Sequence, residues 1–176
     1  PEVSESKATV QAQVALREGS ADGLEAQLEV LDAGGKAVAS GRGQFSGGRL
    51  SHTLTLDRPA LWSPESPSLY TLVTRVLGGG KVIDENRNRF GVRSIAFSRE
   101  NGFQLNGKTR KFKGVCLHHD LGPLGAAVNE AAISRQIRIM KDMGCDAIRT
   151  SHNMPSTMMM DLCDSLGMLV MAESFD

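Results

Sequence analysis

The sequence lacks several patterns that would name a chemistry outright. Among its 176 residues Lys+Arg and Asp+Glu balance at 20 each, so there is no basic field to hold nucleic acid or an anionic membrane surface. No apolar run approaches the length a membrane-spanning helix requires. Only three cysteines occur, Cys116, Cys145 and Cys163, an odd number with no CxxC spacing. They are expected to be buried free thiols and say little about redox compartment. No Gly-x-Ser-x-Gly elbow, phosphate-cradling glycine loop or His-Glu-x-x-His helix is present, which sets aside serine hydrolase, nucleotide-binding and zincin readings. Adjacent His118 and His119 would point to opposite sides of a continuing strand, so a protein-built zinc centre is not expected.

What remains has two grammars. From about Ala8 to Phe97 short alternating runs are separated by turn residues, as in Leu24-Glu-Ala-Gln-Leu-Glu-Val30 and Leu50-Ser-His-Thr-Leu-Thr-Leu56. With Val10 to Leu16, Lys36 to Ser40, Leu69 to Leu77, Lys81 to Asn86 and Arg89 to Phe97, this predicts about seven strands and an immunoglobulin-like β-sandwich. Asp32-Ala-Gly-Gly35 and Gly78-Gly-Gly80 supply the tight turns. After Asn101 the pattern changes. Phe103 to Lys108 reads as a strand entering an Asn-Gly hairpin. A strand over 112–117 follows, then a helix capped by Asn129 with Ile133, Ile137 and Met140 on one face and Gly144 past its end. Cys145 to Arg149 is a second strand, Ser156 to Leu166 a helix stopped by Gly167, and Met168 to Ala172 a third strand. This is β-α-β-α-β, whose crossovers make the strands parallel. We therefore expect a sandwich over residues 1–98 and an α/β region over 99–176. All eight methionines fall between Met140 and Met171, and are expected to fill the core of the second region.

The polar residues gather where the three parallel strands end. His118, His119 and Asp120 follow the first, Arg149, Ser151, His152 and Asn153 the second, and Glu173 and Asp176 the third. Ligands bind on that face of parallel α/β sheets. Each residue also has an ordinary structural role open to it. Arg149 could be a strand-end ion pair with Glu173, and His152 and Asn153 could simply start a helix.

Pro59-Ala-Leu-Trp-Ser-Pro-Glu-Ser-Pro-Ser-Leu-Tyr-Thr-Leu72, Phe90-Gly-Val-Arg93, Phe103-Gln-Leu-Asn-Gly-Lys108, Lys113-Gly-Val-Cys-Leu-His-His-Asp120 and Ile148-Arg-Thr-Ser-His-Asn153 follow one another here. In that order they resemble glycoside hydrolase family 2, and the β-galactosidases most among its members. The resemblance implies an immunoglobulin-like sandwich leading into a (β/α)8 TIM barrel, here its first three strands and two helices, in a chain that reads as part of a longer one. It implies a parent enzyme that hydrolyses terminal β-D-galactosides with retention, using two glutamates about 5 Å apart. Both glutamates come from later strands in that family, so no residue of this chain is expected to be a catalytic carboxylate, and the segment alone is expected to be inactive.

His118, His119, Asp120, Arg149, His152, Asn153 and Glu173 are then the expected substrate-binding residues. By resemblance His118 and His152 contact sugar, and Arg149 hydrogen-bonds the nucleophile. Glu173 matches an acidic residue at the third strand end. A nearby guanidinium would keep a nucleophilic carboxylate ionised. No cofactor is expected in this chain, although a divalent cation in the full enzyme is compatible with the resemblance. The expected partner is a β-galactoside or related oligosaccharide. β-Glucuronidase-like or β-mannosidase-like hydrolysis and a non-catalytic carbohydrate-binding module are the competing readings. Three parallel strands with open edges and an uncovered apolar face rich in Met and Ile are further expected to self-associate.

Overall fold

A computed structural model of the chain describes residues 2–17 and 21–174. Asp176, expected at the rim, lies outside them. The chain divides into two compact units, Pro1–Leu61 with Ser68–Ser94, and Trp62–Pro67 with Ile95–Asp176.

The first unit holds six strands: β1 (Lys7–Ala15), β2 (Leu24–Leu31), β3 (Ala37–Gln44), β4 (Arg49–Asp57), β5 (Leu69–Gly78) and β6 (Lys81–Gly91). β1 pairs with β4, while β3-β2-β5-β6 form a second sheet, every pairing antiparallel. Alternation in β2 sends Ala26, Leu28 and Val30 inward to full burial, where they meet Ala8, Leu54 and Leu56 from the other sheet. Two packed sheets with alternating inward residues are a sandwich. The less exposed face of β3, Ala39, Gly41 and Gly43, is built of small residues because β4 leans over it. A Cβ on Gly41 would stand 2.1 Å from the His52 ring, and one on Gly43 2.4 Å from Leu50. On the sheet's polar side Arg75 reaches Glu29 and Glu85 at 2.7 Å each, Glu85 being its direct cross-strand partner.

A seventh strand over Arg89–Phe97 is not formed. β6 keeps pairing with β5 as far as Gly91, and Ile95–Ser98 belongs to the second unit as β7, paired with β8 (Gly102–Leu105). Local alternation could not reveal that change of partner, which is decided by contacts distant in sequence.

In the second unit β8 turns through Asn106 (φ 52°) and Gly107 (φ 73°) into β9 (Lys108–Thr109). Two successive left-handed residues define the turn that Asn-Gly favours. β10 (Gly114–Leu117), β11 (Ala147–Thr150) and β12 (Leu169–Ala172) then lie parallel in that order, in register Leu117↔Thr150↔Ala172. Between them run α1 (Glu130–Asp142) and α2 (Thr157–Leu166). The Asn129 side chain accepts from the Ala132 N–H, and Ser156 caps α2 through the Met159 N–H. Ile133, Ile137 and Met140 pack with Ile148, Met159, Cys163 and Met168 into one cluster. Among the described residues no helix is long and apolar enough to cross a membrane.

Three expectations about burial need correction. Cys163 is buried, but Cys145 is half-buried and Cys116 exposed. Met140, Met159 and Met168 are core residues, whereas Met143, Met154 and Met171 are exposed. The sheet face opposite the helices is not rich in Met and Ile: its exposed side chains are Cys116, Arg149 and Met171, in register, while Ile148 is buried. For Cys116 and Met171 the cause is shared. Helices cover one side of β10–β12, so odd and even positions of each strand meet different surroundings, where continuous apolar strands imply burial on both faces.

Candidate glycoside-binding wall

The parallel strands stop level with one another at Leu117, Thr150 and Ala172, so His118, Ser151 and Glu173 leave the sheet at one end. From there three groups converge. The Arg149 guanidinium holds Glu173 Oε1 through Nε and Nη2. His152 Nδ1 stands 3.0 Å from Glu173 Oε2. The His118 ring meets the His152 ring edge-on, centroids 5.4 Å apart. The backbone supports the carboxylate as well, the Glu173 N–H donating to Oγ1 of buried Thr150 at 3.2 Å.

Electrostatics follow from this packing. Desolvation pushes the Glu173 carboxyl upward, but hydrogen bonds and charge from Arg149 and His152 outweigh it and hold the group below its ordinary value. The Arg149 guanidinium is stabilised in its charged form, first by Glu173 and then by lesser contacts that include Cys116. Glu173 is thus a fixed anion with both oxygens engaged, which suits it to orient Arg149 and His152 more than to move protons.

The other expected residues stand elsewhere or alone. His119 adopts a positive φ of 49° and, with Asp120, lines a small pocket under the 121–128 loop that also includes Ile133, Gln136 and Met159. Asp120 Oδ1 accepts the Gly122 N–H at 2.8 Å, turning that loop. Asn153 is exposed. Of the seven residues, His118, Arg149, His152 and Glu173 are therefore brought together, and His119 and Asp120 face the helix side. Thr150 and Cys116 are members of this neighbourhood that residue type alone did not single out. A divalent cation does not fit this wall. Glu173 is already saturated by cationic and imidazole partners, and no group of three His, Cys, Asp or Glu side chains able to hold a metal occurs among the described residues.

An antiparallel sandwich followed by parallel β-α-β-α-β, with polar side chains at the carboxyl ends of its strands, is the opening of a (β/α)8 barrel of the kind that works at that rim. The profile for glycosyl hydrolases family 2 matches residues 1–93, and that for the family's TIM barrel domain matches 97–175. The chain belongs to glycosyl hydrolases family 2. It is 45% identical over 150 residues to a β-galactosidase of Bacteroides ovatus, covering 82% of this chain and 18% of that one. A Formosa agariphila relative provisionally named β-glucuronidase is 44% identical over 158 residues, covering 90% and 15%. Among solved structures, a family 2 member from Bacteroides cellulosilyticus superposes with a TM-score of 0.94 at 40% identity, over 100% of this chain and 24% of that one. The chain spans between 15% and 26% of the length of the first curated relatives it matches.

Proposed function

We propose that the full-length protein is a retaining hydrolase of terminal β-D-galactosides, and that the His118–His152–Glu173–Arg149 constellation forms one wall of its sugar cleft. Family membership supports glycoside hydrolysis. The feature that carries the wall reading is convergence: three separate strand ends deliver one linked group of imidazole, carboxylate and guanidinium. In this reading His118 and His152 present ring nitrogens to sugar hydroxyls. Glu173 pins Arg149 so that its remaining N–H groups face the reacting carboxylate contributed by another part of the barrel. His119, Asp120 and Asn153 take peripheral positions around the entrance.

Charge balance favours a neutral sugar. A uronate would bring its own carboxylate into the cleft, and the cation of this wall, Arg149, is already paired with Glu173. Burying another anion there without a free cation is costly. Relatives named β-glucuronidase at similar identity make glucuronide the competing substrate.

The deciding experiment is kcat/KM of the full-length protein for p-nitrophenyl β-D-galactoside against the β-D-glucuronide, with the anomer first released followed by NMR. At least about a tenfold preference for galactoside, roughly 1.4 kcal/mol of differential transition-state binding, with retention is expected. A preference for the glucuronide sinks the galactoside assignment, and turnover of neither sinks the hydrolase reading.

A further inference from the structure

On the face of the parallel sheet turned away from the helices, Cys116 and Arg149 are direct partners across β10 and β11. Cys116 is exposed, unlike Cys163, which is packed among apolar side chains. Its flanking residues in β10, Val115 and Leu117, turn the other way and pack on the helix-side cluster, so alternation commits Cys116 to the Arg149 side. Arg149 carries five N–H donors, and Glu173 accepts from Nε and Nη2. The two side chains are therefore nearest neighbours on one face of the sheet, and the thiol is among the groups that favour the charged guanidinium.

We propose that Cys116 is a positioning residue of the cleft wall: its sulfur accepts from the Arg149 guanidinium and, together with Glu173, holds that group in one orientation. This rests on the reading of Arg149 as a cleft residue given above. A long side chain on a sheet surface has many rotamers, and fixing it costs conformational entropy. Glu173 tethers one edge from the adjacent strand end, and leaves rotation about that contact open. A weak acceptor on the neighbouring strand removes that freedom while spending no second charge, which would neutralise the guanidinium further. Arg149 then meets the reacting carboxylate already oriented. Pre-organisation of this kind acts on the chemical step more than on sugar binding.

Cys116→Val and Cys116→Ser in the full-length protein test it. Valine is near thiol size and cannot accept, while serine restores an acceptor at the same atom. The expected result is that the valine variant loses about fivefold or more in kcat, the worth of one hydrogen bond, with KM changed less than about twofold, and that serine recovers most of the loss. A substrate-free readout separates this claim from the hydrolase assignment. In a cycle of Cys116→Val with Arg149→Met, the combined shift in melting temperature is expected to fall short of the sum of the single shifts. Turnover of neither glycoside by the wild-type protein, with that shortfall present, removes the hydrolase reading and leaves the tether standing. Additive shifts, wild-type kcat in the valine variant, or a serine variant as impaired as valine would each overturn the tether.

Discussion

Replacing Arg110 by methionine removes four charged contacts and keeps most of the side chain's apolar stem. Arg110 reaches Asp146 through Nε at 2.9 Å and Nη2 at 2.8 Å, and Glu65 through Nη1 at 3.1 Å and Nη2 at 2.6 Å. The two acids differ in exposure. The Glu65 side chain is 64% exposed and Asp146 only 12%, so the first pair is worth no more than about 1 kcal/mol. Stranding a fully buried charge costs about 3–5 kcal/mol. Here the cost is nearer 2 kcal/mol by the same principle, because Asp146 keeps its bond from the Lys113 N–H at 2.8 Å and water can reach the vacated side. The total, about 2–3 kcal/mol, should lower the melting temperature of a unit this size by roughly 10–20 °C.

Trp62, the single tryptophan, is 2% exposed and belongs to the second unit, so its fluorescence follows that unit alone during thermal unfolding of the purified chain. Acid adds a second check. The hydrogen bond from Arg110 holds the Glu65 carboxyl below its ordinary value, against the opposing effect of desolvation. Its contribution is therefore present above the unfolded carboxylate range and lost as pH falls through the lowered value. Arg110→Met should flatten the acid side of the stability profile below about pH 4.5. A tryptophan melt within about 2 °C of wild type, well inside the shift just derived, would refute the reasoning.

Burial, with a smaller effect from Asp164, pushes the Cys163 thiol up to about 12, so iodoacetamide at pH 8 should label exposed Cys116 and spare Cys163. Because the folded value is raised, its stabilising contribution is complete below the ordinary thiol value of about 8.5 and disappears as pH climbs toward 12; alkylation of Cys163 without unfolding would contradict this. Asn129→Ala removes the cap on the Ala132 N–H and should cost about 1 kcal/mol, read as a lower melting temperature by tryptophan fluorescence; an unchanged melt would show that tertiary packing alone fixes the start of α1. Among the described residues β10 and β12 each pair on one side only, so the 176-residue chain is expected to associate through those edges. Light scattering giving a monomer mass across a concentration series would exclude it.

Periodicity and punctuation made most of the secondary structure legible. Asn129, Ser156 and Gly167 mark helix ends by local chemistry, and Asn106-Gly107 forces its own turn. Partner choice and burial were less accessible, since they depend on what packs across a face. Nothing in Arg89–Phe97 announces that the chain leaves one sheet at Gly91 and joins another at Ile95. The candidate wall shows the same divide. Strand ends could be read, and with them the meeting of Arg149 and Glu173. Which way His119 and Asp120 turn depends on a backbone with positive φ that β-pattern reasoning does not anticipate.

Gly167 carries the point further. As a helix stop it needs only its left-handed backbone, φ 77°. Yet a Cβ there would also stand 2.4 Å from the Pro64 carbonyl oxygen, which Lys141 Nζ binds at 2.8 Å while also holding the Gly167 carbonyl at 2.9 Å. The Trp62 indole N–H donates to the Asp164 carbonyl at 2.8 Å, and Asn106 donates to the Trp62 carbonyl at 3.0 Å. The Leu-Trp-Ser-Pro-Glu phrase, which looks like linker by composition, is thus fastened to the second unit at four places, counting Glu65 on Arg110. Two of these bonds reach the end of α2 and the glycine that leads into β12, the strand followed by Glu173. A segment remote in sequence from the candidate wall is therefore held against the helices that flank β11 and β12, although none of its residues belongs to that wall.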